Sequence, residues 1–122
     1  MIVLDTNVII SYIQDDPSMV RWIDQALLRE ERFVISSLTI VELLGFKKLA
    51  ERDEFLIEQW IRQVLVIDVD SSMARTAARL RRNFTLTAID SVIAATAETL
   101  RVPLASRDQT FVKVKNLRII VP

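Results

Sequence analysis

At 122 residues, 51% of them hydrophobic, the chain is long enough to bury the core of one domain and too apolar to stay disordered. Its 16 basic and 16 acidic residues cancel, so no global positive field draws in a polyanion, and any nucleic-acid contact has to be local. The absence of cysteine and histidine excludes disulfides, thiolate nucleophiles, cysteine–zinc sites and histidine-based triads.

The chain opens Met1-Ile2-Val3-Leu4-Asp5, with no basic stretch ahead of an apolar one, so a signal peptide is not expected. No apolar run is long enough to span a bilayer, and the expectation is a cytoplasmic protein without membrane association. Ile2-Val3-Leu4 predicts a buried strand ending at Asp5. Val8, Ile9, Tyr12 and Ile13 follow helical spacing up to Asp15-Asp16-Pro17. A second helix is predicted from about Ser18 to Leu28, with Trp22, Ile23, Ala26 and Leu27 on one face. Phe33-Val34-Ile35 predicts a strand, and Ser36-Ser37 supply a cap for the helix carrying Leu38, Val41, Glu42, Leu43 and Phe46. Further on, the pattern predicts a helix from about Arg52 to Gln63, a strand at Leu65-Val66-Ile67 and a helix from Ser71 or Ser72 to near Arg82. A helix over Ala88 to Leu100 opens at Thr87. A short strand follows over Val102 to Ala105, then a weak helical turn at Thr110 to Val114 and a last strand over Leu117 to Val121.

Short apolar strands alternating with helices predict an α/β fold, a parallel sheet covered by helices on both faces. The single glycine argues against the glycine-rich phosphate loops of P-loop and Rossmann proteins.

Four carboxylates stand out from the rest. Asp5 and Asp108 each follow the end of a strand, the position where open parallel sheets build their sites. Glu42 lies among Leu38, Thr39, Gly45 and Phe46 on its helix face, and Asp90 among Leu86, Thr87, Ile93 and Ala94, so both carry charge on otherwise apolar or small surfaces. Each has a purely structural account. Asp5 or Thr6 caps the first helix, Thr39 and Glu42 form a capping box, Asp90 rides the dipole of its helix, and Asp108 caps the turn through Phe111. One shared site accounts for all four together. Carboxylates clustered without nitrogen or sulfur ligands suit a hard divalent cation such as Mg²⁺ or Mn²⁺. Asp15, Asp16, Asp24, Glu30, Glu31, Asp53 and Glu54 read as ordinary solvated charges, and Asp68 and Asp70 as weaker candidates.

The segments Leu4-Asp5-Thr6-Asn7, Ser37 to Leu44 around Glu42, Ala88 to Ala97 around Asp90, and Ala105-Ser106-Arg107-Asp108 with Phe111 resemble, in that order and spacing, a PIN domain, and more narrowly the VapC toxins of toxin–antitoxin pairs. The resemblance covers essentially residues 1–122 as one PIN domain. It implies a three-layer α/β/α fold with five parallel strands in the order 3-2-1-4-5. It implies Asp5, Glu42, Asp90 and Asp108 as catalytic acids, with Asp5, Asp90 and Asp108 as the metal ligands and Thr6, Asn7 and Ser106 in support. The activity implied is Mg²⁺- or Mn²⁺-dependent hydrolysis of RNA, the partners a VapB-like antitoxin and a second copy of the chain. Relatives often carry a glycine in the stretch that here reads Asn83-Phe84-Thr85-Leu86, and threonine where this chain has Ser106.

Arg81, Arg82 and Arg107, with Lys47 and Lys48, are the expected RNA contacts around so acidic a site, with solvated surface charge as the alternative. The apolar early helices offer a docking groove for the antitoxin, or simply core. Three other readings stand beside the nuclease. A PIN-like module binds RNA or protein without cutting. A receiver-like phosphoacceptor domain would use Asp68 or Asp70, yet Asp5-Thr6-Asn7 supplies only one of the paired acids it needs. A haloacid-dehalogenase-type phosphatase would want Asp-x-Asp-x-Thr after the first strand, and Asn7 breaks that pattern.

Overall fold

The computed structural model describes residues 1–122. Its elements in chain order are β1 (Ile2–Leu4), α1 (Thr6–Ile13), α2 (Pro17–Leu28), β2 (Phe33–Ser36), α3 (Ser37–Leu44), α4 (Glu51–Ile61), β3 (Leu65–Ile67), α5 (Ser71–Phe84), α6 (Ala88–Leu100), β4 (Leu104–Ala105), a 3₁₀ turn (Gln109–Lys113) and β5 (Ile119–Ile120). All strand pairs are parallel, and the order across the sheet is β3-β2-β1-β4-β5. The fold is the expected three-layer α/β/α arrangement.

β1, β2 and β4 are buried on both faces, which is why they read as unbroken apolar runs instead of alternating ones. Ile2 and Leu4 of β1, Phe33 and Ile35 of β2, and Ala105 of β4 point to one side, where Val8, Ile9, Met19, Ile23, Leu43, Ile57 and Trp60 of α1 to α4 pack. Val3, Val34 and Leu104 point to the other, against Met73, Ala77 and Leu80 of α5, the buried face of α6, and Phe111. Successive side chains on opposite faces thus divide the core into two.

The chain runs β1 to β2 to β3 outward on one side, then crosses back to lay β4 along the other side of β1. Val3 pairs with Leu104 and Leu4 with Ala105, so Asp5 and Ser106 emerge side by side at the carboxyl ends. That reversal of direction is the switch point at which open α/β sheets place their sites. It also disposes of the receiver alternative, because β3, followed by Asp68 and Asp70, is an edge strand separated from β1 by β2. Asp70 instead caps α5 through the Met73 N–H at 2.8 Å.

Several boundaries differ from the sequence pattern. α2 starts at Pro17, because Asp16 accepts from the Ser18 and Met19 N–H groups and proline suits the first helical position. α3 stops at Leu44, so Phe46 lies beyond it; a Cβ on Gly45 would collide with the Val41 carbonyl oxygen. α4 occupies Glu51–Ile61, shifted back from the expected span. β4 and β5 are only two residues each, shorter than predicted. Pro103 has no N–H to extend the ladder, although its carbonyl accepts from Val3 at 2.9 Å. α5 continues to Phe84, where Thr85 closes it in the left-handed region at φ 54° and ψ 52°, its N–H bonded to the Arg81 carbonyl at 3.0 Å. No helix is long and apolar enough to cross a membrane.

Thr85 is exposed and makes no side-chain hydrogen bond, so its β-branched side chain contributes only strain at a left-handed position. Thr85→Gly is expected to stabilise the protein by about 1 kcal/mol, read as a rise of a few degrees in Tm. A lower Tm would show that the Thr85 side chain packs productively.

Candidate functional site

Asp5 ends β1 and caps α1, and is only 5% exposed. Its Oδ1 accepts the Thr6 N–H at 2.8 Å, while Oδ2 accepts the Ser106 hydroxyl at 2.6 Å and the Asn7 side-chain amide at 2.9 Å. No cation pairs with it; the ion pairs of the molecule are Arg79–Glu98, Arg107–Asp16 and the N-terminus with Glu31. Burial pushes the Asp5 carboxyl up from 3.8 to about 6; the Ser106 and Thr6 hydrogen bonds oppose the rise, and the charges of Asp90 and Glu42 add to it.

The other three acids arrive from separate elements. Glu42 projects from α3, half-buried, and its Oε1 accepts the Thr6 hydroxyl at 2.6 Å. Ser36 caps α3, so Glu42 is not committed to a capping box with Thr39, whose hydroxyl is buried without a partner. Asp90 sits in the first turn of α6, which Thr87 caps by accepting the Asp90 N–H at 3.1 Å. Burial raises its pKa, a Thr87 hydrogen bond counteracts in part, and the charges of Asp108 and Glu42 raise it further. Asp108 caps the 3₁₀ turn through the Thr110 N–H at 2.9 Å, and the Thr110 hydrogen bonds, side chain first, hold its carboxyl below the usual range. The Ser106 hydroxyl ties the set together, donating to Asp5 and accepting the Asp108 N–H at 2.9 Å.

The four acids therefore meet at one end of the sheet and feel one another's charge. They do not stand as a ready-made ligand cluster: no three carboxylates are gathered closely enough to grip one ion. The donor chemistry still fits a hard divalent cation. The oxygens are all carboxylate or hydroxyl, Asp5 is buried without a counter-charge, and like-charged neighbours penalise its ionisation.

A PIN-domain family model matches residues 2–117. The chain belongs to the PIN-domain family. Among solved structures it is similar to a chain of the DNA-bound VapBC complex of Salmonella typhimurium, at 26% identity and TM-score 0.84, with 98% of this chain and 96% of that one covered. It is also similar in fold to a chain of Rickettsia felis VapBC2 bound to a promoter DNA fragment, at 21% identity and TM-score 0.82, with 98% of each chain covered. A toxin–antitoxin complex from Klebsiella pneumoniae matches at 24% identity and TM-score 0.81, over 100% of this chain and 98% of that one. No curated protein matches the sequence.

Around this PIN-domain site the basic residues differ in freedom. Arg81 and Arg82, in the last turn of α5, are exposed and in no ion pair. Arg107 is engaged: its Nη1 meets Asp16 Oδ2 at 2.8 Å, and its Nη2 donates to the Ser18 hydroxyl at 2.8 Å. Asp16, read from sequence as a solvated turn residue, is thus a partner of the loop beside Asp108, and the Arg107 and Ser18 hydrogen bonds lower its pKa to about 2. The signal available in sequence was Asp16-Pro17-Ser18 as a helix start, which locates the cap but not the arginine. Lys47 and Lys48 lie elsewhere, on a groove of about 310 Å³ lined also by Ile10, Ile13, Phe46, Leu49 and Ile57.

The buried acid makes the metal-free protein sensitive to pH in a definite sense. Below about pH 4 Asp5 is protonated folded and unfolded alike; between about pH 4 and 6 only the folded chain keeps the proton. Stability without metal is expected to fall by about 3 kcal/mol as pH rises through that window. Asp90 acts in the same sense, whereas Asp16 and Asp108, held below 3.8, exert their effect on the acid side of it. Urea unfolding with chelator at several pH values reads the slope, and Asp5→Asn should remove most of it. Stability that is flat or rising across the window would mean that Asp5 is already compensated.

Proposed function

We propose that the chain is a VapC-like toxin, an endoribonuclease dependent on Mg²⁺ or Mn²⁺. The coarser reading, a toxin nuclease, is supported by the family match together with the toxin–antitoxin structures that share the fold. The observation that carries the finer one is the buried Asp5 at the β1/β4 switch point, with no basic partner and with the charges of Asp90 and Glu42 bearing on it.

In this reading Asp5, Asp90 and Asp108 hold the ion, which when bound would acidify water and offset charge on the phosphate in flight. Thr6 fixes Glu42 through Oε1 and leaves Oε2 to orient the attacking water and take its proton. Ser106 and Asn7 hold the Asp5 carboxylate in one rotamer, as residues behind a metal ligand do. Arg81 and Arg82 supply phosphate contacts beside the α6 start. The groove of Ile10, Ile13, Phe46, Leu49 and Ile57, rimmed by Lys47 and Lys48, suits an apolar segment of a VapB-like antitoxin. A homodimer would use the surface from Leu38 to Leu49, where Val41 and Phe46 are 60% and 56% exposed, and that of Met73 to Leu80.

The rival, a PIN-like module that binds without cutting, draws on the separation of the carboxylates. Cleavage of RNA that requires Mn²⁺ and stops with chelator decides for the nuclease; metal-independent binding without cleavage decides for the module. Asp90→Asn is expected to abolish cleavage and leave the metal-free protein at least as stable, since it relieves a buried like-charge contact. A large loss of stability would make Asp90 a structural partner instead. Mn²⁺ should raise Tm more at pH 7.5 than at pH 5, because a protonated Asp5 competes with the ion. For Arg81→Ala the salt dependence of RNA binding should flatten by about one unit in slope. An unchanged slope removes Arg81 from the interface.

A further inference from the structure

Arg107 stands between Ser106, which bonds Asp5, and Asp108, yet its side chain spends its donors elsewhere. Its Nη1 and Nη2 grip Asp16 Oδ2 and the Ser18 hydroxyl at 2.8 Å each, and its Nε reaches the Pro122 carbonyl oxygen at 3.1 Å. Asp16 is itself anchored, its Oδ1 capping α2 through the Ser18 and Met19 N–H groups at 3.1 and 3.3 Å. On the other side of the same residue, the Arg107 backbone N–H points to Asn7 Oδ1 at 3.5 Å, and Asn7 donates to Asp5 at 2.9 Å. The loop is thus held from two directions, by a planar fork on the α2 start and by a backbone contact to the acid site.

We propose that Arg107 is a positioning residue, bracing the loop that bears Ser106 and Asp108 against the start of α2. The proposal rests on the nuclease reading for its effect on rate, and on geometry alone for its effect on the loop. The constraint on this loop is tight. The Ser106 hydroxyl has to lie 2.6 Å from Asp5 while accepting from Asp108 at 2.9 Å, and a loop free to drift loses both at once. The Arg107–Asp16 pair is about one-third exposed on each side, so it contributes little to global stability. Its consequence is local: the sheet holds Ser106, whose N–H bonds the Ile120 carbonyl at 2.9 Å, and the brace holds the residue that leads from it to Asp108. Lysine, with one point donor in place of a fork, would restore the contact to Asp16 but not those to Ser18 and Pro122.

The test compares Arg107→Ala, Arg107→Lys, Asp16→Asn and the Arg107→Ala/Asp16→Asn pair with the parent protein. Asparagine keeps an oxygen to cap α2 and turns its amide toward the guanidinium, so the helix start survives while the brace is broken. Two measurements are made: hydrogen exchange at the Asp108 amide in metal-free protein, and kcat, KM and salt dependence on a mixed-sequence single-stranded RNA with Mn²⁺. Expected are faster exchange at Asp108 in both single variants and kcat lowered about 10- to 100-fold with KM and salt slope unchanged. The double variant should be no worse than either single one, and Arg107→Lys should recover part of the loss. The proposal is overturned if Arg107→Ala raises KM and flattens the salt slope at unchanged kcat, the signature of a phosphate contact. It is equally overturned if exchange at Asp108 is the same in all variants. Should the parent protein cleave no RNA, the nuclease reading fails, and the exchange measurement alone still decides whether the brace exists.

Discussion

A carboxylate buried at the end of β1 with no cation beside it is the constraint on which the rest of this structure turns. Asp5 keeps its place through three hydrogen bonds, to the Thr6 N–H, Ser106 and Asn7, and these only partly offset the loss of hydration. A protein selecting only for stability would place a lysine or an apolar residue there. Instead the nearest charges, Asp90 and Glu42, are of the same sign. A positive charge brought to this site would recover part of that penalty.

The sheet exists in a form that creates this meeting. Because β4 returns to lie along β1, two strand ends separated by about a hundred residues of chain deliver Asp5 and Ser106 as neighbours, and Asp108 follows two positions later. α3 leaves β2 directly at Ser36 and brings Glu42 over the same end, within reach of Thr6. α6 enters from the opposite layer, so Asp90 approaches from the other side of the sheet. Both cores contribute, and a change in the packing of either layer alters the spacing of the acids. No three of the carboxylates are gathered closely enough to grip one ion.

Much of this was readable in the residues, and the parts that were not have definite physical reasons. The strands at Ile2–Leu4 and Phe33–Ser36 announce themselves as short apolar runs because both of their faces are buried. Glu42 and Asp90 stood out because a charge on an apolar helix face demands a partner. The order of the strands is invisible to periodicity and came only from the resemblance of the acidic segments to PIN domains. The two-residue lengths of β4 and β5 escaped because apolar character extends beyond the hydrogen-bonded ladder, which Pro103 cannot join as a donor. Arg107 with Asp16 was hidden for a different reason. A salt bridge across 91 residues has no local signature, and each partner alone looks like ordinary surface charge. The separation of the acids was equally beyond reach, since spacing along a chain places side chains on a common end but not within bonding distance.

The structural and functional accounts of the acids, rivals when read from sequence, turn out to share the same atoms. Asp5 caps α1, Asp90 lies in the first turn of α6, and Asp108 caps the 3₁₀ turn. Capping engages backbone N–H groups on one edge of a carboxyl and thereby fixes its orientation, leaving the other edge directed elsewhere. The partial positive ends of α1 and α6 also soften the mutual repulsion of the acids. Glu42 is the exception, in the middle of α3 with no N–H to cap, and it is held by a side chain instead, the Thr6 hydroxyl. That difference separates how the acids are held. Asp5 and Asp108 have their carboxyls oriented by backbone N–H groups, whereas Asp90 is placed only by its position in the first turn of α6. Glu42 is held by one hydroxyl bond at Oε1, which leaves Oε2 without a protein partner.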